Sequence, residues 1–173
     1  MTSGMLLLTA ARANPTELPA VAGLDGAEVR AALVAALLSH CCPGDAALIR
    51  ALTRAEIDHV SARRGGCGDV LLACCWLLFV LGEPADSGLV WAAKSIDFDT
   101  HSYIDSALLV PQGVEATAAW ARAHGQEQLA SHVEGHLTED VDEAISDWRT
   151  SAFFARVPPA SAPAKELAAW IRQ

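Results

Sequence analysis

The sequence predicts an all-α protein, a compact orthogonal bundle of about eight to ten short helices joined by tight turns. Three observations predict it. No stretch sustains an alternation of apolar and polar residues, and Val, Ile, Thr and Tyr do not cluster between turns, so strand signals are missing. Helix caps and breakers recur along the whole chain. Half of the residues are apolar, 52%, enough for a substantial core in a chain of 173 residues. The alternative arrangement is a HEAT-like stack of helical hairpins, for which no repeat period is visible.

Taken in order, Asn14 and Pro15 read as a cap followed by proline at the first helical position, opening a short helix that stops near Gly23. Asp25 caps the next, whose apolar stripe holds Val29, Leu33, Leu37 and Leu38 and which ends at Pro43 and Gly44. Asp45 starts another. Thr53 and Glu56 have the spacing of a capping box, which predicts a fresh helix from 54 to 64 before Gly65 and Gly66. Asp69 is expected to cap the run VLLACCWLLFVL, residues 70–81, closed by Gly82. That run is too short for the roughly twenty residues of a membrane span, so it reads as a buried core helix.

Beyond it, a segment from Glu83 and Pro84 leads through Trp91 to residues 94–105. Pro111 to Gly113 breaks the chain, helices follow over 114–124 and 126–137, and Thr138 or Asp140 caps a longer one running to Val157. Pro158 and Pro159 stop that helix. The expected organisation is therefore a single helical domain over 1–157, then a Pro/Ala linker and a C-terminal docking helix over 158–173, whose Leu167, Trp170 and Ile171 need a surface to cover them.

The formal net charge of −9 and the scattered arginines argue against nucleic acid, whose phosphates demand a basic face. The expected partner is a protein, peptide or small molecule, with no membrane span. The N-terminus lacks the basic segment and long apolar run of a secretion signal, which points to a cytoplasmic protein. Five cysteines agree with reduced thiols: Cys41 and Cys42 are neighbours, as are Cys74 and Cys75, and Cys67 is left over. No CxxC spacing occurs, so neither a metal site nor any cofactor is expected.

The chemistry concentrates in WAAKSIDFDTHSYIDSALL, residues 91–109, which carries one of two lysines, three aspartates, a histidine and the only tyrosine. Two readings fit. In the first, a helix ends near Ser95, a new one begins near Thr100 capped by Asp99, and Lys94 complements a helix C-terminus. In the second the helix runs through, and Asp97, His101 and Asp105 fall at i, i+4 and i+8 on one face, an acid–base device in which a carboxylate orients the imidazole. His101 and Asp105 are expected to share a face in both. The candidate catalytic residues are His101, Asp105 and Asp97. Candidate ligand contacts are Lys94, Asp99 and Tyr103, with Trp91, Trp76 and Trp120 as walls.

His132 and His136 also stand at i, i+4, but the intervening glutamate falls at 134 rather than 133, so HVEGH is not the zinc-protease pattern and reads as two surface histidines. His124 reads as a partner of a helix C-terminus.

The pattern W-x-x-K-x-x-x-F-D followed by I-D-x-x-L-L, in Trp91, Lys94, Phe98, Asp99, Ile104, Asp105, Leu108 and Leu109, resembles small uncharacterised bacterial helical proteins over about a quarter of the chain. The resemblance implies no role for any residue. Nucleotide, dinucleotide and nucleophile motifs are missing. The functional expectation is thus a non-catalytic helical binding protein of immunity, resistance or adaptor type. The alternative is a small cofactor-free enzyme using a His/Asp pair in a Trp-lined pocket.

Overall fold

Two apolar helices organise the computed structural model, which describes residues 4–13, 26–63, 68–137 and 141–171. They are α2 (Ala27–His40) and α4 (Asp69–Leu81), buried from Arg30 to Leu37 and from Asp69 to Leu78 respectively. A helix apolar on every side can only be stable inside, and neighbours cover both. α1 (Gly4–Ala13) and α3 (Ala46–Arg63) pack on α2, α3 and α5 (Ser87–Lys94) pack on α4, and α11 (Ala164–Ile171) lies against α2 and α4, burying Leu167 and Trp170. The remaining helices are α6 (Phe98–Tyr103), α7 (Val114–Ala123), α8 (Glu127–His136), α9 (Val141–Arg149) and α10 (Ala152–Arg156). No strand occurs among the described residues, and no described helix is long and apolar enough to cross a membrane.

Close approach at α1 requires a glycine. A Cβ on Gly4 would stand 2.3 Å from the Ala32 carbonyl oxygen, while the Gly4 amide donates to Ala160 O at 3.0 Å. Gly82, at φ +78, ends α4 in the left-handed conformation that glycine adopts without strain.

Several local expectations give way to tertiary contacts. Thr53 and Glu56 cap nothing, because α3 runs unbroken from Ala46 to Arg63. Thr53 Oγ1 donates back to Ile49 O at 2.8 Å, and Glu56 accepts from Arg30 of α2 at 2.5 Å in a buried ion pair. Asp69 is the first helical residue rather than the cap, a position held by Gly68. Its buried carboxylate accepts from the Tyr103 hydroxyl and from Arg156. The helix expected to reach Val157 breaks at Thr150 and Ser151, between α9 and α10. The expectations at Asn14 and Pro15, Gly23, Asp25, Gly65 and Gly66, Cys67, Thr138 and Asp140 lie outside the described residues.

Candidate functional site

The helix does not run through residues 94–105. α5 ends at Lys94, and α6 starts at Phe98 with Asp97, not Asp99, as its cap. Asp97 Oδ1 accepts from the Thr100 amide at 2.8 Å while the Asp97 amide donates to Thr100 Oγ1 at 3.0 Å, a reciprocal box that satisfies two free amides. Asp99 lies exposed in the first turn. α6 finishes at Tyr103, so Asp105 falls beyond it and caps the next element, a 3-10 turn over Ser106–Leu109, by accepting from the Ala107 amide at 2.9 Å. The expected shared face of His101 and Asp105 is therefore lost. The other Asp105 oxygen is taken by the Trp148 indole N–H, at 3.1 Å.

Lys94 ties this staircase together. Its ammonium, on a residue only 4% exposed, donates to His101 O and to Ile104 O, the latter at 2.6 Å. These are carbonyls at the C-terminal end of α6, where no further helical N–H reaches them and where a cation complements the dipole. Desolvation lowers the Lys94 pKa, and the nearby negative charge of Asp105 opposes that shift. Lys94 forms no ion pair among the described residues.

A cavity of about 470 Å³ opens beside this ammonium, within the size range of small-molecule sites. Lys94, Asp105, Ser106 and His136 contribute its polar groups, and Ile104, Val141 and Trp148 much of its apolar wall. Tyr103 also lines it, held by its hydroxyl to Asp69. A second, more open hollow of about 430 Å³ runs along Trp91, Glu127, Ser131, His132 and His136. His136 borders both.

Three imidazoles cluster where His132 and His136 line the second hollow. His132 stacks on His136 with ring centroids 4.4 Å apart, tilts against Trp91 at 4.8 Å and meets the exposed His101 edge-on at 5.6 Å. His132 Nε2 lies 3.0 Å from Ser106 Oγ, and His136 Nδ1 donates to His132 O at 3.1 Å. Contrary to the expectation of two surface histidines, His132 is buried, at 9% exposure, because the turn carrying Ser106 covers its end of α8. Desolvation, followed by electrostatic repulsion from His136, Lys94 and His101, pushes its pKa down to about 4. No group of three or more His, Cys, Asp or Glu residues suited to a metal ion occurs among the described residues.

Of the expected site residues, Lys94, Tyr103 and Asp105 line the cavity, and His101 and Trp91 join the histidine cluster. Trp76 stands behind the cavity, stacked on Trp148 at 5.8 Å. Trp120 is elsewhere, stacked on His124 at 4.5 Å, and His124 caps the C-terminus of α7. Ser106, His132, His136 and Trp148 were absent from the expected set. The spacing of HVEGH could have raised the histidines, but nothing local marks Ser106 or Trp148.

Neither a protein-family model, nor a curated protein, nor a solved structure matches the chain.

Proposed function

We propose that the protein is a helical binding protein whose ligand, a small molecule or the end of a peptide, places an anionic group beside Lys94 in the 470 Å³ cavity. One observation carries this reading: a buried ammonium with no ion-pair partner among the described residues lines a cavity large enough for a ligand. Asp105 acts on this cation only without direct contact, so its burial remains costly, and a ligand carboxylate or phosphate supplies a direct partner in a place where water screens it poorly. Trp148, Ile104 and Val141 would take the apolar body of that ligand, and Ser106 and His136 would give it polar contacts. An immunity, resistance or adaptor role is compatible with such a site.

The His101–Asp105 acid–base device gains no support from the geometry, since both Asp105 oxygens are engaged by Ala107 and Trp148. A ligand-observed NMR screen of small carboxylates and phosphate esters against their neutral amides tests the binding reading. Hits should concentrate among the anions and vanish with Lys94→Met. Hits indifferent to charge, or unchanged in Lys94→Met, would sink it.

A further inference from the structure

We infer that Ser106 is a nucleophile served by His132 as general base, and that the cavity can accept an acyl group from an ester. The placement of the pair suggests it. Ser106 lines the cavity, His132 lines the second hollow, and a 3.0 Å contact between Ser106 Oγ and His132 Nε2 links the two residues. A substrate carbonyl in the cavity would thus meet a hydroxyl whose base already stands within hydrogen-bond reach, as proton removal during attack requires. The distance lies within the reach expected of a nucleophile and its base.

Among the described residues the imidazole is oriented by packing, with no carboxylate hydrogen-bonded to it. Trp91 and His136 hold its ring at 4.8 and 4.4 Å, and its side chain is 9% exposed. With the proton on Nδ1, the Nε2 lone pair faces Ser106. The charged and titratable groups around the ring are His136 of the same helix, Lys94 of α5 and His101 of α6, with Glu127 along the groove. Burial first, and then these three bases, disfavour a protonated His132, so the imidazole is neutral and ready to accept a proton at neutral pH.

In the reaction, Ser106 Oγ bonds to the ester carbonyl carbon and its proton passes to Nε2 of His132. Collapse of the tetrahedral adduct breaks the ester C–O bond, and the same proton leaves with the departing oxygen as an alcohol or phenol. Water then attacks the acyl carbon and gives a proton to His132. The carboxylic acid departs as Ser106 recovers that proton. Lys94, in the same cavity, favours esters carrying negative charge. This activity does not depend on the binding reading: an anion can occupy the cavity without acylation, and acylation of Ser106 by a neutral ester needs no anion site.

p-Nitrophenyl acetate is the probe. Release of nitrophenolate should accompany an acetyl group mapped to Ser106 by peptide mass spectrometry, and Ser106→Ala should lose that adduct. His132→Gln, checked for helical circular dichroism and cooperative melting, should slow acetylation at Ser106 by about a hundredfold or more. An unmodified Ser106 in the wild-type chain, or undiminished acetylation in folded His132→Gln, would overturn the inference. If His132→Gln fails to fold, the pH profile of the wild-type chain decides. Ser106 acetylation should fall to half near pH 4, where His132 protonates. A midpoint at the ordinary histidine value of 6.5 would overturn it.

Discussion

The Trp148 indole N–H donates to Asp105 Oδ2 at 3.1 Å, joining α9 to the cap of the 3-10 turn across 43 residues of sequence. This bond closes the cavity on one side, and the Trp148 ring continues the wall by stacking on Trp76 and meeting Phe153 and Phe154 edge-on. Trp148→Phe keeps an aromatic ring but removes the donor. The variant should lose about 1.5–3 kcal/mol in urea denaturation, the size of a hydrogen bond to a charged acceptor. Asp105→Asn in that background should then cost less than it does alone, because the two residues share one interaction.

His132 makes the protein sensitive to acid. Its folded-state pKa, about 4, lies below the ordinary 6.5, so between these values the unfolded chain binds a proton that the native state refuses. The contribution to stability is complete above pH 6.5 and is lost as the pH falls toward 4, by roughly 2 kcal/mol overall. Chemical denaturation across that range, compared with His132→Gln, isolates the effect. An NMR titration should place the midpoint of His132 near 4 while the fold persists.

Lys94 acts at the other end of the scale and with the opposite charge. Its folded pKa lies below the ordinary 10.5, so stability should rise with pH through the window between the two values, as the buried ammonium gives up its proton. Below that window the desolvated charge costs stability in full. The difference in unfolding free energy between wild type and Lys94→Met should therefore shift in favour of the wild type as the pH climbs to 10.5. At neutral pH, Lys94→Met leaves His101 O and Ile104 O without their donor, an effect of about 1–3 kcal/mol against the relief of removing a buried charge.

The buried Arg30–Glu56 pair links α2 to α3. Removing one partner strands the other charge inside, so Glu56→Leu alone should destabilise by about 3–5 kcal/mol. Arg30→Met with Glu56→Leu should recover most of that loss, since apolar residues of similar size often replace a buried ion pair at little cost. A double variant no more stable than the single one in guanidinium melts would show that the pair fixes the packing of the two helices rather than merely neutralising itself.

Local chemistry was legible in the sequence and distant pairing was not. The run 70–81 declares α4 because its apolar residues, its glycine stop and its length all agree. Gly125 and Pro111 likewise mark real boundaries around α7. By contrast, Glu56 has the spacing of a capping residue, yet its partner Arg30 stands 26 residues away, and a buried charge follows its counter-charge rather than a local preference. Asp97 displaced Asp99 as the cap because Thr100, three residues on, completes a reciprocal box that Asp99 does not form. Within the site, Lys94 and Asp105 announced themselves by charge. Ser106 did not, for a serine acquires meaning only from His132, which folding brings to it from 26 residues further along.

Residues 95–104 are anchored at both ends of α6: the ammonium of Lys94 holds the carbonyls that end it, the Tyr103 hydroxyl donates to Asp69, and Asp97 and Thr100 close its beginning. Such a strap can detach as a unit without melting α4, which it meets through these bonds only at Asp69, its first residue. Amide exchange should accordingly report two tiers, with the 98–104 amides exchanging together and faster than those of 71–78, which are released only by global unfolding. Neutralising one side chain, Lys94, should then loosen a whole segment while the deepest amides of α4 keep their rank.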